Sequence, residues 1–82
     1  MKYKVILSKD SQKFILKQTN KTQKRILAAI GKLPDAGDIN KYAGYENRFR
    51  LRVGDYRIIY SVHNDVMIIE MITIGNRGDV YK

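Results

Sequence analysis

The stretch "RFRLRVGDYRIIY", residues 48–60, constrains the fold of this chain more than any other segment. Apolar and polar residues alternate on both sides of a Gly-Asp pair, which is the period of a half-buried strand. Gly and Asp tolerate the positive φ that a two-residue reversal demands, so the stretch reads as a β-hairpin turning at Gly54 and Asp55. That turn fixes the register: Val53 faces Tyr56, Arg52 faces Arg57, Leu51 faces Ile58, Arg50 faces Ile59, Phe49 faces Tyr60 and Arg48 faces Ser61. Phe49, Leu51, Val53, Tyr56, Ile58 and Tyr60 then share the side expected to meet the core. Arg48, Arg50, Arg52 and Arg57 all leave on the other.

Like charges directly opposite each other on a sheet are destabilising, so the Arg52–Arg57 pairing needs a compensating acid or a bound anion. Reading "ND" (Asn64, Asp65) as a second two-residue turn puts His63 opposite Val66 and Glu70 opposite Ile59. Glu70 would then lie in the row of Arg50. One acid does not balance four arginines, and an anion-binding face is the reading preferred over a merely solvated one. The same register places Ile59, Ile68, Ile72 and Ile74 near the arginines, where a partner segment could be received. His63, beside a turn, reads as a solvated hairpin residue.

Upstream, "YKVIL" (residues 3–7) reads as a first strand. Ser8 is positioned to cap a short helix over "KDSQKFILKQ", with Phe14 and Ile15 toward the core. Thr19 or Asn20 can cap a second helix, in which Gln23, Ile26, Leu27, Ile30 and Leu33 form one apolar stripe. Pro34 stops it. Residues 34–46 read as a polar, glycine-containing connection able to cover part of the sheet. Three strands follow, over about 47–53, 56–63 and 66–75. The expected fold is α+β in the order βααβββ: two N-terminal helices packed on one face of a largely antiparallel four-stranded sheet, forming a single domain over residues 1–82.

The 16 Lys and Arg against 8 Asp and Glu give a net charge of +8, which favours a polyanionic partner, nucleic acid or an acidic protein. Without cysteine there are neither disulfides nor thiolate metal sites. The apolar run near the N-terminus is too brief for a signal-peptide core or a membrane span, so a cytoplasmic protein with no membrane contact is expected. No metal-ligand spacing, phosphate loop or nucleophile–base pair stands out, and no metal or small-molecule cofactor is expected.

"RFRLRVGDYRIIYSV" followed by "ITIGNRGDVYK", behind a strand and two helices, resembles the RelE/ParE toxin superfamily of type II toxin–antitoxin systems, and within it the RelE branch. The resemblance implies a RelE-like fold, cleavage of mRNA in the ribosomal A site, and inhibition by a cognate acidic antitoxin. Matched by position, it implies site roles for Arg48, Arg50, Arg57, Arg77 and Tyr81. Some members carry lysine where this chain has Arg48 and Arg50, and some have histidine where it has Asn76.

Metal-independent RNA cleavage uses the 2′-OH as nucleophile on the adjacent phosphate. The developing charge must be stabilised and the 5′-oxygen protonated. A guanidinium fork matches phosphate oxygens, which suits Arg57 and Arg50 to the scissile phosphate and Arg48 and Arg52 to flanking ones. Arg77 is the candidate for the leaving group. Tyr81 is the candidate to stack on a base or to help activate the 2′-OH. Arginine is a poor general base, and no other base is evident. Two alternatives stay open: a ParE-like poison of DNA gyrase, and a non-catalytic basic module that binds RNA, the ribosome or an acidic partner.

Overall fold

A computed structural model describes residues 3–76 of the chain. Its elements are β1 (Lys4–Leu7), α1 (Lys9–Leu16), α2 (Asn20–Gly31), β2 (Asp38–Lys41), β3 (Arg48–Val53), β4 (Tyr56–His63) and β5 (Ile68–Asn76). The five strands form one mixed sheet in the order β1-β5-β4-β3-β2. Here β1 runs parallel to β5 and every other neighbour is antiparallel.

Both helices start where side-chain capping predicts. The Oγ atoms of Ser8 and Thr19 accept the backbone N–H of Ser11 and Thr22 at 3.1 and 3.2 Å, so each satisfies an otherwise orphaned donor. Ser8 also donates its hydroxyl to the carbonyl of Ile72 at 2.8 Å, which ties the start of α1 to β5. At the other end of α1, Phe14 meets Tyr56 edge-on with centroids 5.6 Å apart, and the Tyr56 hydroxyl donates to Gln18 at 3.3 Å. Ile15, Ile26, Ile30 and Leu33 from the helical layer pack on Leu51, Val53, Ile58, Tyr60, Val62, Ile69, Met71 and Ile74 from the sheet. The apolar stripe of α2 is narrower than its spacing suggests: Leu27 is 47% exposed. No helix among the described residues is long and apolar enough to cross a membrane.

Three expectations are corrected. The sheet has five strands rather than four, because part of the 34–46 connection pairs as β2 along β3, with Ile39 opposite Leu51. Only Ile39 in "DINK" is apolar, so this edge strand carries almost no hydrophobic period. Gly37 lets the chain lie close there, since at φ +131 a Cβ would meet Leu51 Cδ1 at 2.7 Å.

The second correction concerns the β4–β5 loop, which spans 64–67 rather than two residues, so that His63 pairs with Ile68. Neither Asn64 nor Asp65 takes the positive φ a tight reversal needs; Met67 does, at 55°. Third, the β4–β5 register shifts between Ile59 and Tyr60. That β-bulge leaves Ile72 as an extra residue and turns Ile74, expected near the arginines, into the helix-covered core.

The β3–β4 turn is as expected. Val53 pairs with Tyr56 around Gly54, whose φ is +58, while Asp55 has ordinary negative φ. Positive φ at the first central position alone is the type II′ pattern. Gly54→Ala is expected to cost about 1–2 kcal/mol through that φ, read as a lowered denaturation midpoint; the Arg25 guanidinium lying 2.9 Å from the new Cβ can move aside.

Burial pushes the Tyr60 hydroxyl up from 10.0 to about 12. Its folded-state pKa therefore exceeds the unfolded value, and the associated stability is intact below pH 10 and lost as pH rises toward 12. Chemical denaturation across pH 9–12 is expected to show a decline that Tyr60→Phe shallows by up to about 2–3 kcal/mol.

Candidate functional site

The register of β3 and β4 sets the arginine face. Arg52 stands opposite Arg57, Arg50 opposite Ile59 and Arg48 opposite Ser61, all on the side away from the helices. Strand β2 adds Asp38 beside Arg52 and Asn40 beside Arg50. On the far side, β5 places Gly75 beside Arg57, Thr73 beside Ile59 and Glu70 beside Ser61.

Arg57 occupies the middle of this face and is only 8% exposed. Its Nη1 donates to the Tyr56 carbonyl at 3.3 Å, and no described carboxylate lies within 4.0 Å of it. Gly75, its neighbour on β5, contributes no side chain. Ile59 and Ser61 are buried too, whereas Arg52 is exposed and Arg48 and Arg50 are half-buried. A charge sheltered from water interacts more strongly with whatever approaches it, and a buried cation without an acid is expensive to keep. Asp38, although directly across from Arg52, makes no ion pair with it within 4.0 Å.

The position of Glu70 differs from expectation. It lies opposite Ser61, in the row of Arg48 rather than that of Arg50, because the longer loop moves the register by two residues. Its Oε1 contacts His63 Nε2 at 3.4 Å instead of an arginine. Arg48 is held from two sides. Its Nε donates to Ser61 Oγ at 3.4 Å, and its guanidinium carbon sits 4.0 Å from the centroid of the Tyr45 ring.

Neither this tyrosine nor its neighbour Tyr42, whose ring centroids are 5.7 Å apart, is marked by strand period or charge. Two tyrosines flanking a glycine in "YAGY" were the available signal. Of the expected site residues, the structure brings Arg48, Arg50, Arg52 and Arg57 together; Arg77 and Tyr81 lie outside the described residues. Among the described residues no group of three or more His, Cys, Asp or Glu is placed to hold a metal ion.

The basic character extends around the molecule. Between residues 9 and 32, Lys9, Lys13, Lys17, Lys21, Lys24, Arg25 and Lys32 face a single acid, Asp10. Long-range attraction for a polyanion is therefore general, and the sheet face differs from it in being ordered and partly dehydrated.

A model of the ParE toxin of the type II toxin–antitoxin system, parDE, matches residues 5–81. The chain belongs to this toxin family. Toxin RelE3 of Methanocaldococcus jannaschii, from the same RelE/ParE superfamily, is 41% identical over 44 residues, which is 54% of this chain and 48% of that protein. The match thus spans about half the length of the relative.

Among solved structures, a chain of the archaeal RelE–RelB complex from Pyrococcus horikoshii superposes with a TM-score of 0.80 at 26% identity, covering 96% of this chain and 99% of that one. A chain of the RelB–RelE antitoxin–toxin complex from Methanococcus jannaschii gives 0.71 at 29% identity, covering 93% and 94%. The isolated Escherichia coli RelE toxin shares the fold, with a TM-score of 0.73 at 20% identity and coverage of 96% and 90%.

For this RelE-like toxin fold, replacing Arg52 relieves its repulsion of Arg57 without touching the core. Arg52→Gln is expected to raise stability by about 0.2–1 kcal/mol, more at low salt, in thermal denaturation.

Proposed function

We propose that this chain is the toxin of a type II toxin–antitoxin pair and acts as a metal-independent endoribonuclease on mRNA at the ribosomal A site. The observation that carries this reading is Arg57: a sheltered guanidinium with no described acid to neutralise it, flanked by Arg48, Arg50 and Arg52 on one sheet face. A phosphodiester supplies the missing negative charge, and its non-bridging oxygens fit the guanidinium fork.

In the proposed reaction the ribose 2′-oxygen bonds to the adjacent phosphorus and loses its proton. The bond from phosphorus to the 5′-oxygen breaks, and that oxygen gains a proton. The products are a 2′,3′-cyclic phosphate and a 5′-hydroxyl. Arg57 with Arg50 stabilises the extra negative charge of the phosphorane, while Arg48 and Arg52 hold flanking phosphates. Arg77 and Tyr81, which match family positions by sequence resemblance, are the candidates for the leaving group and for a base or the 2′-OH respectively. With no general base among the arginines, alignment of the 2′-OH by the ribosome supplies much of the rate, since orientation alone contributes several kcal/mol.

Two relatives of this fold are known in complexes of RelE with RelB, which supports an antitoxin as the second partner. An acidic antitoxin segment would pair with the same arginines and so exclude RNA. The ParE designation of the family model keeps a second reading, poisoning of DNA gyrase.

Induction in a bacterial host with mapping of transcript 5′ ends separates them. Cuts within translated messages, reduced about 100-fold or more by Arg57→Ala, are the expected result. Growth arrest with intact messages and double-strand DNA breaks points to gyrase. Absence of toxicity points to a non-catalytic binding module.

A further inference from the structure

We propose that the turn formed by residues 42–47 builds a stacking site for one unpaired nucleobase, beside the arginine face, with Tyr42 as the platform and Tyr45 as its support. This rests on the RNA reading above and adds to it a base-recognising element apart from the phosphate-binding arginines.

A cleft of about 320 Å³ opens at the end of β2, lined by Lys41, Tyr42, Ala43 and Arg50. Its size is at the lower end of small-ligand sites, enough for a single heterocycle. Its lining thus includes one aromatic residue, Tyr42, and Arg50 of the arginine face. Behind Tyr42 stands Tyr45, tilted 44° to it at 5.7 Å, and behind Tyr45 the Arg48 guanidinium at 4.0 Å. Arg48 is itself anchored on Ser61. The rings therefore form a braced series leading from the arginine face to the cleft.

The backbone holds that series in place. Tyr42 N–H donates to the Arg48 carbonyl at 2.9 Å and Tyr45 N–H to the Tyr42 carbonyl at 3.4 Å, closing the turn, while Gly44 takes φ +89 to reverse the chain. Tyr45 remains 47% exposed, so its ring is oriented by a cation–π contact instead of by burial in the core. An exposed, pre-oriented aromatic series has little value for stability. It suits a flat ligand, because ordering costs are already met before binding.

Two of the four lining residues are cationic, and they select the ligand class. An apolar protein side chain gains nothing from Lys41 and Arg50, whereas a nucleotide offers a π-face to Tyr42 and phosphates to the cations. Arg50 is two residues along and one strand across from Arg57, about 8 Å between Cα atoms. The stacked base therefore belongs to a nucleotide close to the phosphate held at Arg57. Only a single strand can supply it, since bases within a duplex are not free to leave their stack.

The test uses the purified full-length chain at low salt and short single-stranded RNAs with 2′-O-methyl sugars, which resist cleavage, carrying 2-aminopurine at each position in turn. Wild type is expected to quench the fluorophore at one position. Tyr42→Ala is expected to abolish that quenching and weaken binding about tenfold, whereas Tyr42→Phe retains both. Arg57→Ala is expected to weaken binding yet keep the quenching.

Should Tyr42→Ala lose its circular dichroism signature, Tyr45→Ala, at a half-exposed ring, is expected to give a partial loss of quenching and about threefold weaker binding. RNA bound equally well by wild type and both alanine variants, with unchanged fluorescence, overturns the stacking site and leaves the phosphate-binding face standing. A wild-type protein that binds polyglutamate but no RNA overturns both.

Discussion

A single tight reversal governs this molecule. With Gly54 at positive φ and two residues between the strands, β3 and β4 have one register available, and the period of two then decides which side every later contact occupies. A slip of one residue would carry Arg57 into the layer of Ile26 and Ile30 and expel Ile58. The helices, capped by Ser8 and Thr19, need only supply apolar side chains to the face already chosen.

The opposite face is arranged against stability. Arg52 stands across from Arg57, and Arg57 is held away from water, its hydrogen-bond acceptor among the described residues being a neighbouring carbonyl. Asp38 stays outside ion-pair distance of Arg52, and Glu70 is engaged with His63. Asp38 and Glu70 thus lie near Arg52 and Arg48 in register without an ion pair to them. Folds tolerate such local conflicts where a ligand resolves them, and a phosphate or a partner's carboxylate would do so here.

The parts legible in the sequence share a physical origin: each is dictated by neighbours along the chain. The hairpin register, both N-caps and the core positions Ile15, Ile26, Ile30 and Leu33 follow from turn chemistry and periodicity. Features set by contacts distant in sequence were not legible. Strand β2 exists because β3 offers it backbone partners, not because "DINK" favours a strand. The bulge that sends Ile74 inward has no local signature, although Ser8, far off in the chain, binds the carbonyl of its extra residue Ile72. The arginine cluster could be read from the hairpin alone. That Arg57 is sheltered while Arg52 is not could not, because burial depends on what surrounds a strand, not on its own residues.

The parallel pairing of β1 with β5 has a bearing on the order of events during synthesis. Lys4–Leu7 aligns with residues 68–71, so β1 waits for almost the whole described chain before it finds its partner. Contacts of such long sequence separation are late and slow to form. A nascent chain that has exposed its arginines but not yet β5 lacks the strand between β1 and β4, and the sheet has no continuous surface. The arginine-bearing face therefore gains its β5 flank, with Thr73 beside Ile59 and Gly75 beside Arg57, only after residues 68–76 have been made.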